Sequence, residues 1–466
     1  MKLMGKYCAL RVGLLCLGVA SLGLALSGCG GGSHTTTSSS LPPAQQQAGQ
    51  LPASSDPSGQ FQTFSTTGTV NFNNEFFQSL GSNGRKCVSC HQPGEGWSVT
   101  PPGIQVRFNN TSGTDPIFTP NDGSTCPTDD VSTVAARQTA YALLLSKGLI
   151  RIARPIPGGA EFTLTGVSDP YNCTTSTALA MFRRPLPSTN LKFENTIMWD
   201  SREDVAQLIF DDLKSQAKNA TLGHAQSATV PTDAQLTSIV NFETALFNAQ
   251  TVDNAAGSLT AQGGRGGPQI LSQQPFTPGA NSVFAAGFNP NVFDLYTAWE
   301  SLSGTDSVTQ ARLSIARGEK LFNTKLINID SVRGLNDVLN QVIVAGTCST
   351  CHSTPNVGNS STNQSMDIGT ANANRRTPDL PLYTLTCTNN SIFQVDDPGL
   401  ALTTGKCNDI AKLKVPVLRD LAPRAPYFHD GQAATLMDVV DFYNNRFQIG
   451  LTTQEKTDLV NFLNSL

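Results

Sequence analysis

Two pentapeptides, Cys87-Val88-Ser89-Cys90-His91 and Cys348-Ser349-Thr350-Cys351-His352, lie 261 residues apart in a chain of 466. With 11 Cys and five His, chance would place only about 0.003 such motifs in this chain. The spacing has a chemical reason. Two thiols three residues apart add across the two vinyl groups of one porphyrin, and the adjacent His reaches the iron as proximal ligand. Zinc also takes Cys and His, but its sites pair two such units without demanding a His directly after each. The motifs therefore predict two covalently attached c-type haems, with His91 and His352 as proximal ligands, each haem in its own domain.

Attachment of this kind needs export, and the N-terminus supplies it. Lys2, Lys6 and Arg11 precede an apolar run from Val12 to Leu26, too short and too rich in small residues for a membrane span. The run ends in Leu26-Ser27-Gly28-Cys29, which resembles a bacterial lipobox. Residues 1–28 then form a lipoprotein signal, Cys29 carries lipid, and 29–60, rich in Gly, Ser, Thr, Pro and Gln, is a flexible tether. The membrane is reached through this anchor alone, and Gly30 after the lipidated Cys points to the periplasmic side of the outer membrane. Charged residues are only 14% of the chain, and losing the three signal-peptide bases takes the formal charge from −4 to −7. That sign disfavours a nucleic-acid partner. Of the remaining cysteines, Cys126, Cys173, Cys387 and Cys407 make an even number in an oxidising compartment, and proximity favours Cys126–Cys173 and Cys387–Cys407.

The apolar spacing predicts helices and few long strands. Phe72, Phe76, Phe77 and Leu80 mark one helical face before the first motif. The stretch Ala311 to Phe322 before the second resembles the first helix of a class I cytochrome c, with its Gly-x-x-Leu-Phe ending. Thr435 and the capping box Thr452-Thr453-Gln454-Glu455 open two C-terminal helices. The expected fold is mostly α, two cytochrome c-like haem domains with long irregular loops: 61–254, a Gly/Pro/Gln-rich linker or insertion at 255–306, and 307–466.

Further motifs carry a family resemblance. Val415-Pro416-Val417-Leu418-Arg419, Ala425-Pro426-Tyr427-Phe428-His429-Asp430-Gly431 and Thr435 to Val440 resemble the C-terminal signature of bacterial dihaem cytochrome c peroxidases, a family that includes the enzyme maturing methylamine dehydrogenase. Trp199-Asp200-Ser201-Arg202 is similar to the family's Trp-Asp-Gly-Arg. The resemblance runs from about Asn71 to Leu466, with insertions around Thr100–Arg183 and Gly257–Asp306. It implies a peroxidatic N-terminal haem, an electron-accepting C-terminal haem, and Trp199 between them. It further implies Arg202 and Arg419 as partners for haem propionates, and Asn190, nine residues before the Trp, as ligand of an interdomain calcium.

Two departures qualify what carries over. The family's distal Glu follows a Gln-Ala pair; here no acid follows Gln216-Ala217 nearby, and His224 is the only titratable group from Asn219 to Gln226. His224 is a candidate acid–base group, its unperturbed pKa near ~6.5 suiting proton transfer. Two other readings stay open, a sixth ligand to the first iron and a plain helix-end histidine. Where the family has its second axial ligand stands Lys412, a candidate ligand in its neutral form; the alternative is a solvated Lys412 with Met366, or no side chain, completing the site. The expected activity is reduction of hydrogen peroxide with electrons from a small periplasmic carrier, a cytochrome c or cupredoxin. The alternatives are a dihaem electron carrier without turnover and an oxidase-like enzyme acting on a protein or organic substrate.

Overall fold

The computed structural model describes residues 48–175, 177–204 and 208–466. The signal, Cys29 and most of the tether lie outside the described residues. None of the described helices is long and apolar enough to cross a membrane.

The helix Ser307–Thr324 starts where Asp306 accepts from the Thr309 N–H, and it crosses the C-terminal helix Thr453–Asn464. The crossing is possible because residue 318 is glycine. A Cβ there would stand 2.0 Å from the Asp458 carbonyl oxygen. Ile315, Phe322, Leu459 and Phe462 close the apolar seam, while Asp458 accepts from Ser314 and from both prongs of Arg317. Both C-terminal helices start where expected: Thr452 forms its capping box with Glu455, and Thr435 caps its helix in a second box, with Asp438. The face before the first motif behaves differently. Only Glu75–Phe77 is helical, a single turn, and Phe72 is exposed. Asn71 and Asn74 accept from nearby backbone N–H groups, which competes with a longer helix. Phe76 and Phe77 still pack on Phe242 of the helix Asp233–Thr244.

The expectation of a mostly α fold is met only in part, since helix occupies 32% and strand 17%. A four-stranded sheet runs Ser54–Asp56, Gly59–Ser65, Leu246–Asp253, Gly257–Ser258. The stretch expected as tether up to residue 60 thus turns into sheet from Ser54, because Phe61, Thr63 and Ser65 alternate inward with period two. A second sheet orders Ile392–Val395, Leu382–Cys387 and Phe162–Ser168, so segments from both halves of the chain share one ladder. The disulfides Cys126–Cys173 and Cys387–Cys407 are present. The Gly-rich stretch read as a linker or insertion is mostly loop but contributes side chains to the core. Leu259, Phe293, Tyr296 and Trp299 are buried against the Ser307–Thr324 helix. Its glycines serve close packing: a Cβ on Gly264 would lie 2.7 Å from the Trp299 ring.

Candidate active site

Each Cys-x-x-Cys-His peptide is a short turn on the wall of its own cavity, with void volumes of about 1380 Å³ and 1430 Å³. Cys87, Cys90, Cys348 and Cys351 form no disulfide, although the other four described cysteines do. Burial pushes all four thiols up. Burial also lowers His91 and His352, each to about 4, so both imidazoles are neutral near pH 7. His91 Nδ1 lies 3.1 Å from the Trp97 carbonyl oxygen and His352 Nδ1 2.5 Å from that of Gly358. A carbonyl only accepts, so each Nδ1 carries the proton and Nε2 is left bare for a metal. Thiol pair, oriented imidazole and apolar cavity together fit a c-type haem at both places.

Trp199 borders both cavities. Its Nε1 donates to the Arg184 carbonyl at 2.8 Å, and its ring meets His429 edge-on at 6.2 Å. Lys414 also borders both; it is buried, paired with Glu194 at 2.7 Å, and donates to the Thr196 carbonyl.

His224, at the C-terminal end of the helix Ile209–Gly223, lines the first cavity together with His91. Its Nδ1 bonds Asp122, which also pairs with the buried Arg85. Burial alone would raise the Asp122 carboxyl, but the His224 hydrogen bond and the Arg85 guanidinium outweigh it and hold it below the usual range. An ionised carboxylate only accepts, so Nδ1–H donates and Nε2 is free for chemistry in the cavity. Neither Asp122 nor Arg85 was singled out from sequence; Asp122 lies 102 residues before its partner. Glu243 is a second omission. It is buried on the same cavity wall, one oxygen has no hydrogen-bond partner, and burial pushes it up to about 8. Its signal was an acid continuing the apolar face Leu236, Ile239, Val240 of its helix.

Other candidates sit elsewhere. Arg202 lines the first cavity but bonds Asp200 at 2.9 Å, within a cluster that includes Arg183 and Arg154. Arg419 is fully buried, with two nitrogens lacking partners, and burial lowers it to about 10. The second cavity's walls do not include Lys412, whose Nζ pairs with Asp409 at 3.1 Å and Asp337 at 3.7 Å. Met366 is buried on that wall, its backbone bonded to Leu413. Of the two candidates for the second axial position, only Met366 lines this cavity. Asn190 uses both ends of its amide on the Asn248 main chain, its Nδ2 donating to the Asn248 carbonyl and its Oδ1 accepting from the Asn248 N–H.

Searched against family models, the chain matches none. It is 38% identical over 81 residues to the cytochrome-c peroxidase IdrP1 of Denitromonas iodatirespirans, covering 15% of this chain and 22% of that one. To IdrP2 of the same organism, also named a cytochrome-c peroxidase, it is 32% identical over 133 residues, covering 26% and 36%. Over these stretches the chain is homologous to cytochrome c peroxidases. The matches span about a fifth to a third of those relatives' own length. A MauG-like protein associated with microbial copper homeostasis superposes with a TM-score of 0.37 at 14% identity, over 84% of this chain and 87% of the other.

Proposed function

We propose that this protein is an exported dihaem c-type peroxidase that reduces hydrogen peroxide with electrons from a small periplasmic redox protein. The observation that carries the reading is one tryptophan bordering two cavities, each with its own Cys-x-x-Cys-His peptide. Cys87, Cys90 and His91 would hold one haem, and Cys348, Cys351 and His352 the other. Bound haem supplies one-electron chemistry that protein side chains lack. Overall, peroxide takes two electrons and two protons and leaves as two waters. In this reading His224 moves a proton at Nε2 at the peroxide oxygens, and Asp122 keeps the ring in the tautomer that allows it. Trp199 spans the two cavities as the route for electrons, and Met366 completes the second site. Residues 61–254 and 307–466 would each carry one haem, with Cys29 lipidated and the chain tethered at the outer membrane.

A second reading draws on the same histidine. With Nε2 free and His91 lining the same cavity, His224 would instead help to hold the first haem at its iron, giving an electron carrier without turnover. One variant separates the two. His224→Ala in a peroxidase leaves the haem spectrum intact and slows peroxide reduction ~10²–10⁴-fold. In the carrier it converts the first haem from low to high spin. Unchanged spectrum and unchanged turnover would refute both. A mature mass lacking two haem increments would remove the cytochrome basis altogether.

A further inference from the structure

Beside Trp199, three titratable side chains converge that the proposed chemistry does not use. Asp396 follows the strand Ile392–Val395, and His429 and Asp430 lie in the loop before the helix Leu436–Arg446. They are 5%, 1% and 1% exposed. One ligating atom from each lies within 4.8 Å of the other two. His429 Nε2 is 3.6 Å from Asp396 Oδ1, and Nδ1 is 4.0 Å from Asp430 Oδ1, both too long for hydrogen bonds.

What makes the group unusual is its lack of partners. Neither ring nitrogen of His429 and neither oxygen of Asp396 has a hydrogen-bond partner. The adjacent Asp397 is served by both prongs of Arg183, but among the described residues no lysine or arginine pairs with Asp396 or Asp430. Buried ionisable groups in this condition are normally paired or bound to a metal.

We propose that Asp396, His429 and Asp430 form a binding site for one divalent first-row cation, best suited to zinc. One imidazole and two carboxylates are a donor set for such an ion, whereas calcium takes six to eight oxygens. Tetrahedral ligands ~2.1 Å from zinc stand ~3.4 Å apart; one ligating atom from each of the three residues already lies within 4.8 Å of the others, and small side-chain movements complete the fit. The dipositive charge offsets the two carboxylates. Gln432 donates to Asp430 through its backbone N–H and its amide, orienting that carboxylate from outside the site. A bound ion pins the loop carrying His429 to the strand end beneath the edge of Trp199. The site stands on this geometry and not on the peroxidase reading.

The test uses the full haem-loaded protein, isolated from zinc-supplemented culture and dialysed against EDTA. Plasma mass spectrometry is expected to find one zinc per chain besides iron, and zinc-edge absorption a nitrogen/oxygen shell without sulfur. Asp396→Asn and Asp430→Asn should each lower the zinc content at least tenfold while the haem spectrum, which reports folding, is retained. Absence of zinc in the wild type, a sulfur-containing shell, or undiminished zinc in a haem-loaded Asp396→Asn protein would overturn the proposal. The absorption spectrum of the wild type decides the ligands even if the variants fail to fold. Peroxide turnover is measured separately, so loss of one result leaves the other readable.

Discussion

Replacing Gly318 by alanine sets two local effects against each other, and the structure decides their sign. In an exposed helix, Gly→Ala gains about 1 kcal/mol of propensity. Here the new Cβ would lie 2.0 Å from the Asp458 carbonyl oxygen and 2.6 Å from Phe462 Cβ, against an ordinary contact of at least 3.4 Å. The obstacle is main chain and cannot rotate away, so the two helices must separate by roughly an ångström. That movement loosens the edge-on contacts of Phe462 with Phe293 and Tyr296, and its packing on Phe322. Overpacking of this kind costs about 1–3 kcal/mol, enough to cancel or exceed the propensity gain. Phe322 also borders the second cavity and sits 5.9 Å from the His352 ring, so the Soret band of the second haem should shift with the melting point. Thermal unfolding of the haem-loaded protein should show Tm lowered, by about 1 °C per kcal/mol for a compact unit that runs from Gln46 to Leu466. A Gly318→Ala protein that melts higher than the wild type, with an unchanged Soret band, would refute the close-packed crossing.

Asp122→Asn should slow peroxide turnover at least ~10-fold by freeing the His224 tautomer, with haem attachment intact; equal turnover in a stopped-flow assay would remove Asp122 from the mechanism. Because the native Asp122 carboxyl is held below its unfolded value, its stabilisation is full above that value and fades only as acid protonates the native carboxylate; in the Asn variant, denaturant titrations should lack that acid-side loss. Glu243 has the opposite sign: its native pKa of about 8 lies above the unfolded value, so between pH 5 and 8 the unfolded chain gives up a proton that the folded one keeps, and the fold loses stability. Glu243→Gln should flatten that decline, as read by urea midpoints at both pH values. Trp199→Phe keeps a ring but loses the bond to the Arg184 carbonyl, and should slow electron equilibration between the haems while each retains its spectrum; unchanged flash-reduction kinetics would exclude Trp199 from the route.

Much of the site was legible because its chemistry is local. The cysteine spacing and adjacent histidine concern five consecutive residues, and the capping boxes at Thr435 and Thr452 concern four. The glycine in Ala311 to Phe322 was read as a helix pattern, and packing gave it the reason, the backbone of Asp458. Where the reading failed, a local rule met a non-local competitor. Glycines at 264 and 266 signalled a linker but make room beneath Trp299 and Tyr296. Lys412 occupied the ligand's place in the sequence, yet Asp409 and Asp337 hold its ammonium away from the cavity that Met366 reaches.

By itself, then, the sequence carried the covalent possibilities: which cysteines could hold haem, which pair as disulfides, and where the two C-terminal helices begin. Tertiary structure alone decided convergence. Only folding brings Asp122 and Arg85 to His224, sets Trp199 on the border of both cavities, buries Glu243 on a wall, and gathers Asp396 to His429 and Asp430. The physical reason is range. Thiol spacing and capping act over a few bonds, whereas the protonation and ligation of a buried side chain depend on neighbours tens to hundreds of residues away, chosen by how the core packs.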